Sequence, residues 1–219
     1  MENEPKKRKR TSGLLRDKER TKQKMIQSVG KILLKKGYTG LNATAVSKEA
    51  GVDKSLVYSY FGSLDNLVET YILQRDFLNA VAKDDLVVML ENTTAVPKEA
   101  IYGLLHNQLD TLLKDKVLQK IIHWELGENK TYLRNIADKR EELGEAFFKV
   151  AEPTYDKANI DLRGILAVLI SGVYYLVLHA KTNGSLFCGI DLNTPEGEQR
   201  IKDAITSIIL MAHEKTTAS

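Results

Sequence analysis

The sequence predicts an all-α protein in which a small N-terminal three-helix domain precedes a larger helical domain, about nine helices in all. Two observations predict the class. Apolar residues recur at helical spacing along almost the whole chain, and no stretch alternates with period 2 for more than a few residues. A third observation predicts the division. Residues 1–65 hold 15 Lys and Arg against 7 Asp and Glu, a net charge of +8, whereas the other 154 residues hold 17 against 22, a net of −5. Such asymmetry suits a nucleic-acid-facing module on a larger acidic-to-neutral body, with a merely solvated basic face as the competing reading.

The elements follow in order. Residues 1–18, with Lys6-Lys7-Arg8-Lys9-Arg10 and almost nothing apolar, predict a disordered basic arm. From Arg20 onward Met25, Ile26, Val29, Ile32 and Leu33 form the apolar stripe of a basic amphipathic helix that ends at Gly37. Asn42 then caps a short helix stopped by Gly51, whose positive φ terminates it, and Asp53 caps a second short helix running to about Phe61. Two short helices joined by a glycine turn, after a longer helix, have the spacing of a helix-turn-helix, which places that domain at residues 19–65. Ser63 and Asp65 open another helix, and residues 66–219 form the larger domain. There Pro97 leads a helix through Leu113, Val117 to Trp124 mark a shorter one, and a charged helix from Tyr132 ends before Pro153. Asp161 caps a nearly all-apolar helix that stops at Gly184, and Thr194-Pro195-Glu196 opens the last one.

Composition bounds the function. A chain of 219 residues, 43% apolar, buries a core without metal or disulfide, and its single cysteine, Cys188, has no partner within the chain. No cofactor or metal is expected. The charged first 15 residues lack the apolar stretch of a signal peptide, so a cytoplasmic location is expected. The longest uncharged run, residues 164–180, falls short of the ~20 apolar residues of a membrane span, so it predicts a buried soluble helix and no membrane partner.

A helical wheel at ~100° per residue places Val57 and Phe61 on one side of the second short helix and Ser55, Leu56 and Ser59 opposite them. Those three are what the helix would present to base edges in a major groove, the serines donating or accepting and Leu56 touching a thymine methyl. Lys54, Tyr58 and Tyr60 lie on the flanks, where an ammonium and two phenol hydroxyls reach phosphates; capping of the core is the competing reading for the tyrosines.

The stretch Asn42-Ala-Thr-Ala-Val-Ser-Lys-Glu-Ala-Gly-Val-Asp-Lys-Ser-Leu-Val-Tyr-Ser-Tyr-Phe61, with Arg20-Thr21 and Gly37-Tyr38 before it and Ser63, Asp65 and Leu67 after it, resembles the DNA-binding domain of the tetracycline-repressor (TetR) family of bacterial regulators. The resemblance covers about 50 residues. It implies a homodimer of nine- or ten-helix subunits that releases operator DNA when a small molecule binds the larger domain. It also implies DNA contact at the positions of Tyr58, Asn42, Thr44 and Lys54, and Thr21 and Lys24 of the first helix join that set. One departure stands out: Leu64 occupies the place of a family lysine that grips the DNA backbone, so that contact falls to Lys22, Lys24 or the basic arm.

In the larger domain, the apolar run and the last helix, with Ile201, Ile205 and Ile208, are the candidate dimerisation surfaces. Tyr102, His106, His123, Trp124, Phe147, Tyr174 and His179 are candidate effector-binding residues, each with an ordinary core or surface role as its competitor. Catalytic signatures are missing: His123-Trp124-Glu125 lacks the Pro-Cys-x-x-Cys partner of a zinc deaminase, and no phosphate loop or nucleophile elbow occurs, so no enzyme is expected. The expected function is an operator-binding repressor released by a small-molecule effector. The alternative is a helical ligand-binding or adaptor protein that does not bind DNA.

Overall fold

The computed structural model describes residues 11–75 and 96–217, with side chains from Arg16 onward. Among the described residues the fold is all-α, as the periodicity predicts, and the one β-type pairing is an isolated bridge between Phe187 and Ile190. The chain forms two compact units that divide after Ile72.

In the first unit, α1 (Thr11–Lys36) leads through a single 3-10 turn (Tyr38–Gly40) to α2 (Ala43–Ala50), α3 (Ser55–Phe61) and α4 (Leu64–Arg75). Met25, Val29 and Leu33 of α1, Val46 of α2, Val57 of α3 and Leu67 of α4 are fully buried and make the core. Gly30 lets α1 and α4 approach closely, because a Cβ there would strike the ring hydroxyl of Tyr71. Burial of Leu67, Val68, Tyr71 and Ile72 carries the first unit seven residues beyond the boundary at 65.

Two expectations are corrected here. Residues 11–18 are helical rather than a disordered arm, because α1 propagates back through Leu, Arg, Lys and Glu, which are good helix formers, and an Arg20–Asp17 ion pair supports that turn. Residues 1–10, with the lysine-arginine run, lie outside the described residues.

The second unit contains α5 (Lys98–Lys114), α6 (Lys116–Gly127), α7 (Thr131–Asp156), α8 (Leu162–Thr182) and α9 (Pro195–Thr217). Its core gathers Leu105 and Leu109 of α5, Ile122 of α6, Phe147 and Tyr155 of α7, Val173 and Val177 of α8, and Ile205 and Ile209 of α9. Local caps set the boundaries: Asp115 accepts from the N–H groups of Val117 and Leu118, Asp161 from Gly164, and Thr194 Oγ1 from Gly197.

The second correction is that α7 does not end before Pro153 but runs through it to Asp156. The proline removes one helical hydrogen bond, yet Ala151 and the fully buried Tyr155 on the last turns tie that segment into the core, and packing overrides propensity. The expected burial of α8 holds on one side only. Among the described residues it is the one helix long and apolar enough to cross a membrane, with 28% of its most apolar 18-residue window buried. Its Leu166, Val173 and Val177 are buried within the unit, while Val168 is 71% and Tyr175 53% exposed.

Candidate nucleic-acid interface

The geometry around α2 and α3 is set by three local devices. Asn42 is extended, and its Oδ1 accepts from the Ala45 N–H at 2.8 Å while its Nδ2 donates to the Gly40 carbonyl at 3.4 Å, so the side chain that opens α2 is committed to the cap. Gly51 then takes φ 67°, and the N–H of Val52 bonds the Ser47 carbonyl at 3.0 Å, which closes α2 and turns the chain toward α3. Asp53 accepts from the Ser55 backbone N–H at 2.8 Å and from its hydroxyl, and those two bonds, the hydroxyl's first, hold the Asp53 carboxyl below its ordinary pKa. An ionised Asp53 therefore satisfies the first turn of α3.

α3 is thereby held with Val57 buried and Lys54, Ser55, Tyr58 and Ser59 exposed; Tyr58 is 50% exposed. Leu56, Tyr60 and Phe61 are half-buried, so Leu56 offers a smaller apolar surface than the wheel suggests. The Ser55 hydroxyl already donates to Asp53 and retains only its lone pairs for an incoming group. Thr44 and Lys24 are exposed, and Thr21, half-buried, donates its hydroxyl to the Asp17 carbonyl at 2.8 Å.

The charge on α1 divides into two sets. Lys31 and Lys35 each lie 3.5 Å from Glu49 of α2 and so serve the packing of the unit. Arg16, Lys18, Lys22 and Lys24 lie nearer the N-terminal end, and the Lys18 ammonium stands 5.3 Å from the centroid of the Tyr60 ring. Sequence reasoning missed Lys18 because it assigned that residue to the arm. The signal for it is the continuation of the stripe Lys18, Lys22, Met25, Val29 on one side of a single helix.

Of the seven effector-binding candidates, Phe147 belongs to the core cluster of the second unit and Tyr102 and Tyr174 pack against that cluster. The Tyr102 and His106 rings lie tilted at 41° with centroids 5.6 Å apart, but His106 Nε2 lies 3.0 Å from the Lys202 carbonyl oxygen and 3.1 Å from Thr206 Oγ1, which makes it a link between α5 and α9. His123 is exposed, Trp124 is buried edge-on against Tyr132, Phe147 packs on Phe148, and Tyr174 is half-buried. His179 stacks on Tyr175 and lies 2.8 Å from Ser185 Oγ. A cavity of about 470 Å³ opens instead at the α6–α7 turn, lined by residues 125–130 with Leu133, Arg134 and Ala137, and none of the seven borders it.

Residues 31–71 match the family model described as "Bacterial regulatory proteins, tetR family". None of the curated proteins matches the sequence. Among solved structures, the chain is similar to native NalD, the secondary repressor of the MexAB-OprM multidrug efflux pump in Pseudomonas aeruginosa, at 16% identity and TM-score 0.62, covering 90% of this chain and 96% of that one. It is similar to the transcriptional regulator FadR from Bacillus subtilis in complex with stearoyl-CoA, at 14% identity and TM-score 0.58, over 85% and 96% of the two chains. A third likeness is to the multidrug binding protein EbrR complexed with proflavin, at 20% identity and TM-score 0.52, over 86% and 99%. The N-terminal unit thus matches the tetR-family model over residues 31–71, and the described chain has the fold shared by these solved proteins.

Proposed function

We propose that this chain is a cytoplasmic, homodimeric transcriptional repressor that binds operator DNA through α2 and α3 and is released by a small-molecule effector held in its second unit. The observation that carries the reading is the presentation of α3, with Val57 inward and Lys54, Tyr58 and Ser59 outward, on a unit whose first 65 residues bear a net +8. Ser59, Ser55 and Leu56 face base edges, while Lys54, Tyr58, Thr44, Thr21 and Lys24 hold phosphates, with Asn42 serving the interface as the cap of α2.

Base discrimination by two serines and a leucine is weak, since the bidentate pairs worth ~1–3 kcal/mol belong to Arg, Asn and Gln, so groove shape contributes to operator choice. The effector is an apolar or amphipathic molecule of the kind named for the FadR and EbrR structures, stearoyl-CoA and proflavin. To release DNA it must bind the DNA-free conformation more tightly than the bound one.

The test is titration of the full chain with genomic promoter fragments across a salt series. Affinity falling linearly in log salt, with slope about −0.9 per phosphate neutralised, supports the reading. No association at low ionic strength overturns it in favour of a helical ligand-binding protein.

A further inference from the structure

Tyr60 lies on α3 beside the reading face, yet its hydroxyl makes none of the hydrogen bonds that fix this interface; what its half-buried ring does is carry the Lys18 ammonium, 5.3 Å above its centroid. That contact ties the N-terminal half of α1 to α3. A cation at this distance from a phenol ring is held by the ring's quadrupole, and the attraction does not require the hydroxyl. Among the described residues Lys18 has no carboxylate partner: Asp17, its neighbour, pairs with Arg20. Its charge is therefore held in place by a neutral ring and remains uncompensated, which is the arrangement that suits a waiting phosphate.

The remaining groups fit the same edge. Lys22 follows Lys18 one helical turn later, and Lys54 and Tyr58 are exposed on the flanks of α3. Leu64, at the start of α4, carries no charge.

We infer that Tyr60 is a positioning residue whose ring holds Lys18 as a phosphate-binding cation at the edge of α3, extending the DNA-contacting surface back along α1. The inference rests on the DNA-binding reading above. It assigns to Tyr60 a different role from a phenol donating to phosphate, and the two roles make opposite predictions for Tyr60→Phe.

The experiment compares Lys18→Met, Lys18→Arg, Tyr60→Phe and Tyr60→Leu in the full chain, binding a duplex of about three turns of ~10.5 base pairs over a salt series. Lys18→Met lowers the log-salt slope by about 0.9 per protomer, a difference of about three- to four-fold in affinity between 50 and 200 mM salt. Tyr60→Leu weakens binding in the same direction, whereas Lys18→Arg and Tyr60→Phe keep the wild-type slope. In the DNA-free protein, the side-chain methylene resonances of Lys18 are shifted upfield by the ring; the shift survives Tyr60→Phe and disappears in Tyr60→Leu. An unchanged slope in Lys18→Met, or a loss in Tyr60→Phe equal to that in Tyr60→Leu, overturns the inference while leaving DNA binding intact. Failure of the wild-type chain to bind the duplex overturns both, and is told apart by that control alone.

Discussion

The residues of α3 differ less in type than in what already occupies them. Ser55 and Ser59 carry the same hydroxyl, but Ser55 has spent its proton on Asp53, so Ser59 is the more adaptable of the two toward a base edge. Asn42, whose amide could pair with adenine, is engaged at both ends by backbone. Tyr58 is under no such commitment to the core: half its surface is open, on a helix whose opposite face is sealed by Val57. A phenol donating to a phosphate makes a hydrogen bond to a charged group, worth about 1.5–3 kcal/mol. Tyr58→Ala is therefore expected to weaken binding to all duplexes by about ten-fold or more, with no change in relative preference among sequences, while circular dichroism and the unfolding midpoint stay near wild type. Equal affinity in fluorescence-anisotropy titrations of the two proteins would remove Tyr58 from the DNA surface.

At the scale of the element, helix ends dominate. A proline inside a helix costs up to ~3 kcal/mol relative to alanine, and Pro153 sits exposed in α7, so the cost brings no compensating contact at its own position. Pro153→Ala is expected to raise stability by about 1–3 kcal/mol, read as a rise of roughly 2–4 °C in Tm per kcal/mol; a fall in Tm would mean that the ring shapes the last turns around Tyr155. The α7–α8 contact carries a pH signature. Arg163 at the start of α8 bonds both Glu145 and Glu152 of α7 and lies over the Phe148 ring. Its hydrogen bonds hold the Glu145 carboxyl below the ordinary 4.5. A lowered folded-state pKa means stabilisation that is complete above the unfolded value and disappears as pH falls through the folded one. The stability gap between wild type and Arg163→Met is thus expected to be constant above about pH 5 and to close on acidification below 4.5, in urea unfolding series at fixed ionic strength. A gap independent of pH would reduce Arg163 to its packing on Phe148. The caps at Asn42, Asp161 and Thr194 are legible in the sequence because each acts on an N–H within three residues. The passage of α7 through Pro153 is not, since it depends on burying Tyr155 against α9, where its hydroxyl lies 3.3 Å from His213 Nδ1. Nor are the individual roles of the effector-binding candidates, because aromatic residues at helical spacing look alike whether they line a cavity or, like His106, join two helices.

At the scale of the whole molecule, the uncovered apolar surface is what remains to be explained. Six of the nine exposed large hydrophobic side chains among the described residues lie on α8, the segment after it, and α9: Val168, Tyr175, Leu186, Phe187, Ile208 and Met211. A bilayer does not suit α8 as a spanning helix, because one of its sides packs on α5 and α7 within the unit. The homodimer proposed above would cover it: a two-fold axis would set the patch against its own equivalent, so one apolar patch would suffice for a self-complementary contact, and such a dimer would present two α3 helices to half-sites spaced one turn, ~34–36 Å, apart. Replacing Val168 and Met211 together by glutamate puts four carboxylates into that contact, where like charges facing each other with water excluded cost several kcal/mol. Sedimentation equilibrium is expected to give a dimer for the wild type and a helical monomer for the double variant, and the monomer, holding one half-site instead of two, loses most of its affinity for a two-site duplex. A variant that still sediments as a dimer would move the contact to another face, and a monomeric wild type at micromolar concentration would leave two-fold reading of DNA without a structural basis.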